Sequence, residues 1–207
     1  MHIPENQPSK SCENRIQTDS QGRFYRDRRR FLYGCGLLGI GMFLSPTPGF
    51  GLRTPVKKPV ERRISLLNLH TGERVQNLAF YADGDFIPEN LSNLNWLLRD
   101  HRNGEVCCID TDLFDQLWAL QQVLGNSDSF HIISGYRSPE TNRKLANQSS
   151  GVAKRSMHTF GRAIDIRLPG VDLATLRKSA LALKRGGVGY YPTDNFVHID
   201  TGRVRFW

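Results

Sequence analysis

Short stretches of alternating apolar and polar residues predict β-strands in the C-terminal three quarters of the chain. RRISLLNLH (62–70) and RVQNLAFYA (74–82) both alternate in this way, and the Thr71-Gly72-Glu73 segment between them is typical of a hairpin turn. Further strands are predicted for FHIIS (130–134), GRAIDIRL (161–168), GGVGYY (186–191) and FVHIDTG (196–202).

Apolar residues at three- and four-residue spacing predict helices between these strands. The predicted helices run from Pro88 to about His101, from the N-cap Thr111 to Gly125, from Pro139 onward, and along the stripe Leu173, Leu176, Ala180 and Leu183. Strands and helices alternate without the repeated unit of a parallel βαβ fold. We therefore predict an α+β fold, with a mostly antiparallel sheet and flanking helices.

The first 51 residues have a different pattern. Arg28 and Arg29 precede the apolar run Phe31–Phe43, which is too short to span a bilayer and is typical of an export signal. The segment resembles a bacterial twin-arginine signal, from which Asp27 and Tyr33 depart. The alternative is a buried helix with a basic start, which four glycines in the run disfavour.

This pattern divides the chain into three parts. We predict an unstructured n-region and twin-arginine signal peptide over 1–51, a Pro- and Lys-rich linker over 52–61, and one domain over 62–207. The predicted location is the periplasm, with no stable membrane anchor after the signal is cleaved.

Charge and cysteine content narrow the classes of partner. The net charge is +8, which favours an anionic partner, but export makes nucleic acid a poor one and a carboxylate-rich polymer a better one. The four cysteines form no C-x-x-C pair, which excludes a zinc ribbon.

The strand predicted at GRAIDI carries an isolated carboxylate. Side chains alternate along a strand, so Gly161, Ala163 and Asp165 share one face, and the first two leave that face nearly bare. His158 lies in the preceding loop, from which its side chain could reach over this bare face of the strand.

The last predicted strand adds a second histidine. His198 and Asp200 share a face by the same alternation. If the two strands are neighbours, His158, Asp165 and His198 can meet at one point. Two imidazoles and a carboxylate are a ligand set that catalytic zinc uses, with a fourth position left for water.

Three motifs together carry a family resemblance. SMHTFGRAID (156–165), FVHID (196–200) and SGYRS (134–138) resemble motifs of the D-alanyl-D-alanine zinc peptidases, the VanX/VanY and Hedgehog-like group. The murein endopeptidase subgroup is more similar still, through LNLHTGE, LFDQLWALQ, GVAKRSMHT, GGVGYYP and NFVHIDTG. The resemblance runs from about residue 27 to the C-terminus and implies a Hedgehog/D-Ala-D-Ala-peptidase-like zinc fold.

The resemblance implies roles for individual residues. His158, Asp165 and His198 would be the ligands of one Zn²⁺. Arg137 would bind the substrate carbonyl and its developing oxyanion, the alternative being a structural ion pair. Ser156 would bind a peptide end of the substrate, the alternative being a hydroxyl that caps a loop.

The general base departs from the family pattern. Asn195 stands where several members have Glu or Asp, and an amide cannot take the proton. Asp200 is our first substitute and Asp194 the second, although Asp200 could instead orient His198. Tyr190 is predicted to contact substrate; it or Tyr191, but not both, can face the site.

The function implied by these features is hydrolysis in the bacterial wall. We expect a zinc-dependent murein endopeptidase that cuts D,D- and/or L,D-cross-links at meso-diaminopimelate, with peptidoglycan peptide stems as partner. The alternative is a non-catalytic peptidoglycan-binding module that retains the metal pocket, which Asn195 supports. A cysteine transpeptidase is disfavoured because the cysteines lack a histidine nearby.

Overall fold

The structure of the protein is a computed structural model, and it describes residues 61–148, 153 and 155–207. The predicted signal peptide and all but the last residue of the predicted linker lie outside the described residues. None of the helices in the described ranges has the length and apolar character that a membrane-spanning segment needs.

An eight-stranded sheet organises the described residues. Its strands are β1 (Arg62–Asn68), β2 (Arg74–Ala82), β3 (Asp85–Phe86), β4 (Phe130–Ser134), β5 (Ala163–Arg167), β6 (Gly187–Tyr191), β7 (Phe196–Asp200) and β8 (Arg205–Phe206). They lie in the order β3-β2-β1-β4-β5-β7-β6-β8. The pairs β1–β4 and β6–β8 are parallel and the other neighbouring pairs antiparallel. The α+β class is thus confirmed, with a mixed sheet.

The helices largely follow the predicted apolar stripes. They are α1 (Pro88–Leu97), α2 (Thr111–Leu124), α3 (Pro139–Gln148) and α4 (Leu173–Leu183), with a 3₁₀ helix at Met157–Phe160. Two predicted boundaries are wrong. Asp110, not Thr111, caps α2, because its carboxylate accepts from the Asp112 amide. α1 ends before His101, because Asp100 organises a turn there by accepting from the amides of Arg102 and Ser138.

The two faces of the sheet have different chemistry. One face is apolar and forms the core with the helices, through residues that include Ile64, Leu66, Phe130, Ile132, Ile164, Ile166, Val188, Val197 and Ile199. Each fully buried aliphatic side chain contributes about 1.5–3 kcal/mol to folding. On the central strands the other face carries Asp165, His198 and Asp200, so a packed core fixes the backbone beneath these polar groups.

Candidate metal centre

Strand register brings two of the predicted ligands together. β5 and β7 are antiparallel neighbours, and Asp165 lies directly opposite His198. Gly189 of β6 lies opposite His198 on its other side. Directly opposed residues project from the same face of a sheet, so the Asp165 carboxylate and the His198 imidazole meet on that face. Gly189 adds no side chain beside them.

The 3₁₀ helix before β5 supplies His158. Ser156 caps this helix, its hydroxyl accepting from the His158 amide at 3.4 Å, and Gly161 ends it in the left-handed conformation with φ of 63°. The prediction that Gly161 belongs to the strand is wrong, since β5 begins at Ala163. Glycine is required there because a Cβ at 161 would lie 2.5 Å from the carbonyl oxygen of Cys108.

Three ligand atoms converge at this point. His198 Nδ1 lies 2.8 Å from Asp165 Oδ1 and 3.2 Å from His158 Nε2. His158 Nε2 lies 3.3 Å from the same Asp165 oxygen. All three side chains are buried, and among the described residues they form the one group of three or more His, Cys, Asp or Glu side chains close enough to hold a metal ion.

The outer hydrogen bonds leave one ring nitrogen of each histidine directed at the centre. His158 Nδ1 lies 2.7 Å from the Gly135 carbonyl oxygen, which can only accept, so Nδ1 donates and Nε2 keeps its lone pair. His198 Nε2 lies 3.2 Å from Asp200 Oδ2 and can keep its proton for that carboxylate, whereas Nδ1 lies 2.8 Å from Asp165 Oδ1 and can either donate to it or offer a lone pair to a metal. Once His198 Nδ1 has given up its proton, the triad directs two nitrogen lone pairs and a carboxylate oxygen at one point, which is the form that can bind a cation.

Burial and charge act on the same three groups. Burial lowers the pKa of His158, which favours its neutral, ligating form. Burial alone would raise the pKa of Asp165, but the two histidines beside it hold that pKa well below its ordinary value. Burial also opposes protonation of His198, but its hydrogen bonds to Asp165 and Asp200 raise its pKa overall. The net result is a carboxylate that stays ionised and attracts a cation.

Asp200 lies behind His198 with its carboxylate fully engaged. Its Oδ1 accepts from the amides of Gly187 at 3.0 Å and Gly202 at 2.8 Å, and Arg205 donates to both oxygens, at 3.1 and 2.6 Å. Asp200 is completely buried, and these donors together with His198 keep the pKa of its carboxyl well below the usual range despite burial. This environment suits an orienting group better than a proton acceptor that must face substrate.

Arg137 lies on the other side of the triad, in the loop between β4 and α3. Its guanidinium donates to Ser134 Oγ at 3.2 Å and approaches Asp165 Oδ2 at 3.5 Å. Its amide donates to the His158 carbonyl oxygen at 3.2 Å, which joins this loop to the 3₁₀ helix. A largely buried guanidinium beside the triad could donate to an oxyanion there.

Tyr190, which was predicted to contact substrate, lies on the core face of the sheet and not on the face of the triad. Tyr190 pairs with Val197, projects from the core face, and lies under the Arg177 guanidinium at 4.9 Å from its ring centroid. Tyr191 shares the triad's face, because it is two residues from Gly189, the partner of His198. Strand alternation limited the choice to these two tyrosines, but the phase of the strand could not be read from the sequence.

The remaining predicted residues lie at the margins of the centre. Ser156 is a buried helix cap, and its role in binding substrate stays a prediction. Asp194 and Asn195 are exposed in the turn between β6 and β7, and Asn195 has a positive φ of 55°. Sequence reasoning missed Arg205 and Trp207, which carry no motif and reach the centre only through the pairing of β8 with β6.

Comparison with known proteins assigns the family. A family model described as peptidoglycan L,D-endopeptidase MepK matches residues 56–207. The chain belongs to this family. The resemblance seen in the sequence is thus confirmed, and the family places the chain among the D-alanyl-D-alanine peptidases.

Individual relatives match over most of their length. The peptidoglycan L,D-endopeptidase MepK of Escherichia coli K12 is 45% identical over 179 residues, covering 86% of this chain and 96% of the relative, and that of Shigella flexneri is equally similar. The probable peptidoglycan L,D-endopeptidase MepK of Haemophilus influenzae is 42% identical over 183 residues, covering 88% and 96%.

Proposed function

We propose that this chain is a zinc-dependent endopeptidase that hydrolyses peptide cross-links in bacterial peptidoglycan. The observation that carries the proposal is the convergence of His158 Nε2, Asp165 Oδ1 and His198 Nδ1, with the other nitrogen of each histidine hydrogen-bonded to an outer oxygen. The names of its relatives support peptidoglycan as the substrate.

The donor set fits zinc. Two imidazoles and one carboxylate are typical protein ligands of a catalytic zinc site, and both imidazoles here have the second hydrogen-bond partner that such ligands usually have. A zinc ion held there would supply Lewis acidity, which polarises a substrate carbonyl and makes water a better nucleophile.

The protein's own groups would prepare the site for this chemistry. Arg137 would hold the scissile carbonyl and donate to the oxygen as negative charge develops on it, without reorganising, because Ser134 and Asp165 already fix the guanidinium. Asp200 would keep the Nε2 proton of His198 in place and so preserve the lone pair on Nδ1. We therefore prefer the orienting role of Asp200 to that of general base. Ser156 stays a candidate contact for a peptide end of the substrate.

The linkage that the enzyme cuts is a finer proposal. The relatives are named L,D-endopeptidases, so we propose that L,D-cross-links at meso-diaminopimelate are the main substrate. Cleavage of D,D-cross-links is the additional activity expected from the sequence. We propose the periplasm as the location, from the twin-arginine motif at Arg28 and Arg29.

Digestion of defined muropeptide dimers tests this function. Purified protein is incubated with a dimer joined by an L,D-cross-link and with one joined by a D,D-cross-link, and the products are separated by chromatography. We expect cleavage of the L,D-linked dimer that stops with a chelator and returns with Zn²⁺. Binding of the dimer without cleavage in the presence of Zn²⁺ would instead favour the non-catalytic module.

A further inference from the structure

An aromatic pair lies beside the metal centre on the site's face of the sheet. The indole Nε1 of Trp207 donates to the Tyr191 hydroxyl at 2.7 Å. The Trp207 ring also lies against the His198 imidazole, with 5.3 Å between ring centroids. A candidate ligand and a tyrosine hydroxyl are thus joined through one indole.

The backbone is built to hold this pair. Trp207 is bonded to β6 on both sides, its amide donating to Val188 and its carbonyl accepting from Tyr190. A Cβ at residue 189 would lie 2.8 Å from ring atoms of both Trp207 and Tyr191, so Gly189 provides the space in which the two rings meet. Phe196 stacks on Tyr191 at 4.5 Å between centroids and restrains its ring further.

The hydrogen bond leaves the tyrosine with a proton to donate. A tyrosine hydroxyl can accept and donate at once, and the indole N–H can only donate. The Tyr191 oxygen is therefore the acceptor, and its own proton has no acceptor among the residues that the structure describes.

We propose that Tyr191 is a substrate-binding residue that donates a hydrogen bond to a carbonyl or carboxylate oxygen of the peptide stem, and that Trp207 is its positioning residue. The inference rests on the proposed function and adds to Arg137 a second polar contact, which lies beside Trp207 and the His198 ring. Peptide stems are rich in such oxygens, so a fixed hydroxyl donor suits them. The partly exposed indole also covers one side of His198.

Steady-state kinetics on an L,D-linked muropeptide dimer tests the proposal with the zinc-loaded full chain. Tyr191→Phe removes the hydroxyl and keeps the ring, and we expect KM to rise about fivefold with kcat nearly unchanged, the size of one hydrogen bond formed equally in ground and transition states. Trp207→Phe removes the indole donor and should raise KM by a similar factor. Tyr190→Phe is the matched control on the opposite face and should leave both constants unchanged.

A double-mutant cycle tests the positioning role. If Trp207 acts through the Tyr191 hydroxyl, Trp207→Phe has almost no further effect on KM in the Tyr191→Phe background. Zinc content measured in every variant must stay at the wild-type value, which separates positioning of substrate from damage to the metal centre.

The possible outcomes are distinguishable. An unchanged KM in Tyr191→Phe, with an active wild type, overturns the binding role and leaves the proposed function intact. Full additivity of the two substitutions, or loss of zinc from Trp207→Phe, overturns the positioning role. An inactive zinc-loaded wild type overturns the proposed function and this inference with it.

Discussion

Replacing Asp200 with asparagine separates the two roles open to this residue. The carboxylate accepts from two backbone amides through Oδ1, while Oδ2 faces Arg205 Nη2 at 2.6 Å and His198 Nε2 at 3.2 Å. In Asp200→Asn the amide oxygen can take the place of Oδ1, and the NH₂ group then takes the place of Oδ2. There this NH₂ donor faces two other donors, Arg205 Nη2 and His198 Nε2. His198 can then regain a hydrogen bond only by moving its proton to Nδ1, which removes the lone pair that a metal would use.

The expected loss is one of metal affinity. Removing a carboxylate partner from a ligating histidine typically weakens metal binding about 10- to 100-fold, or roughly 1.4–2.7 kcal/mol. Because the substitution also forces the wrong tautomer, we expect the upper end of this range for Asp200→Asn. With saturating Zn²⁺, kcat should recover to within a few-fold of wild type.

Competition with a chromophoric chelator measures the zinc affinity, and dimer cleavage at saturating zinc measures kcat. Asp83→Asn is the matched control, an acid-to-amide change at an exposed position of the β2–β3 turn near the far edge of the sheet, and should alter neither quantity. Unchanged zinc affinity in Asp200→Asn together with a kcat at least about 100-fold lower would refute the orienting role and support a general base.

Three further predictions concern the surroundings of the centre. Arg137→Lys should keep zinc and lower kcat/KM about 100-fold, because an ammonium cannot reproduce the fixed fork of donors. Unchanged kcat/KM with a lower free energy of unfolding would instead indicate a structural ion pair with Asp165. Burial, with nearby positive charge, lowers the pKa of His101 from 6.5 to about 4. Between these two pH values the imidazole takes up a proton only in the unfolded chain, so the stability of the fold falls as the pH drops from 6.5 to 4. After a discount for the partial exposure of His101, the free energy of unfolding should fall by about 1 kcal/mol between pH 7 and 5. Urea unfolding of His101→Gln should lack this loss; parallel pH profiles of stability for the variant and the wild type would contradict the prediction. Gly161→Ala should destabilise the fold by about 2–4 kcal/mol, through backbone strain and the clash with the Cys108 carbonyl oxygen. Gly104→Ala is the control, because Gly104 also has a positive φ but faces open space, and it should cost about 1 kcal/mol. Equal losses of stability in the two variants would contradict this reasoning.

Much of the fold could be predicted because the periodic segments are long and unambiguous. The alternation of 62–70, 74–82 and 196–202 and the apolar stripe of α4 correspond to strands and a helix of the structure. The triad depended on the assumption that β5 and β7 are neighbours, and their antiparallel register brings Asp165 opposite His198.

The errors arose where local geometry outweighs pattern. Gly161 fits the alternation of a strand, but its positive φ ends a 3₁₀ helix, and alternation alone cannot distinguish these two uses of glycine. Tyr190 and Tyr191 are adjacent aromatics in a strand that is apolar on both faces, so its phase depends on the register with β7. Trp207 reaches the centre through the parallel pairing of a two-residue strand, and single-sequence patterns do not predict such a contact.

Anomalous diffraction at the zinc edge from a crystal of the zinc-loaded protein tests the central claim most directly. We predict one peak, about 2.0–2.2 Å from His158 Nε2, His198 Nδ1 and a carboxylate oxygen of Asp165, in a preparation that cleaves the L,D-linked dimer. An active preparation without a peak between these three residues, or with zinc bound to other side chains, would contradict the account.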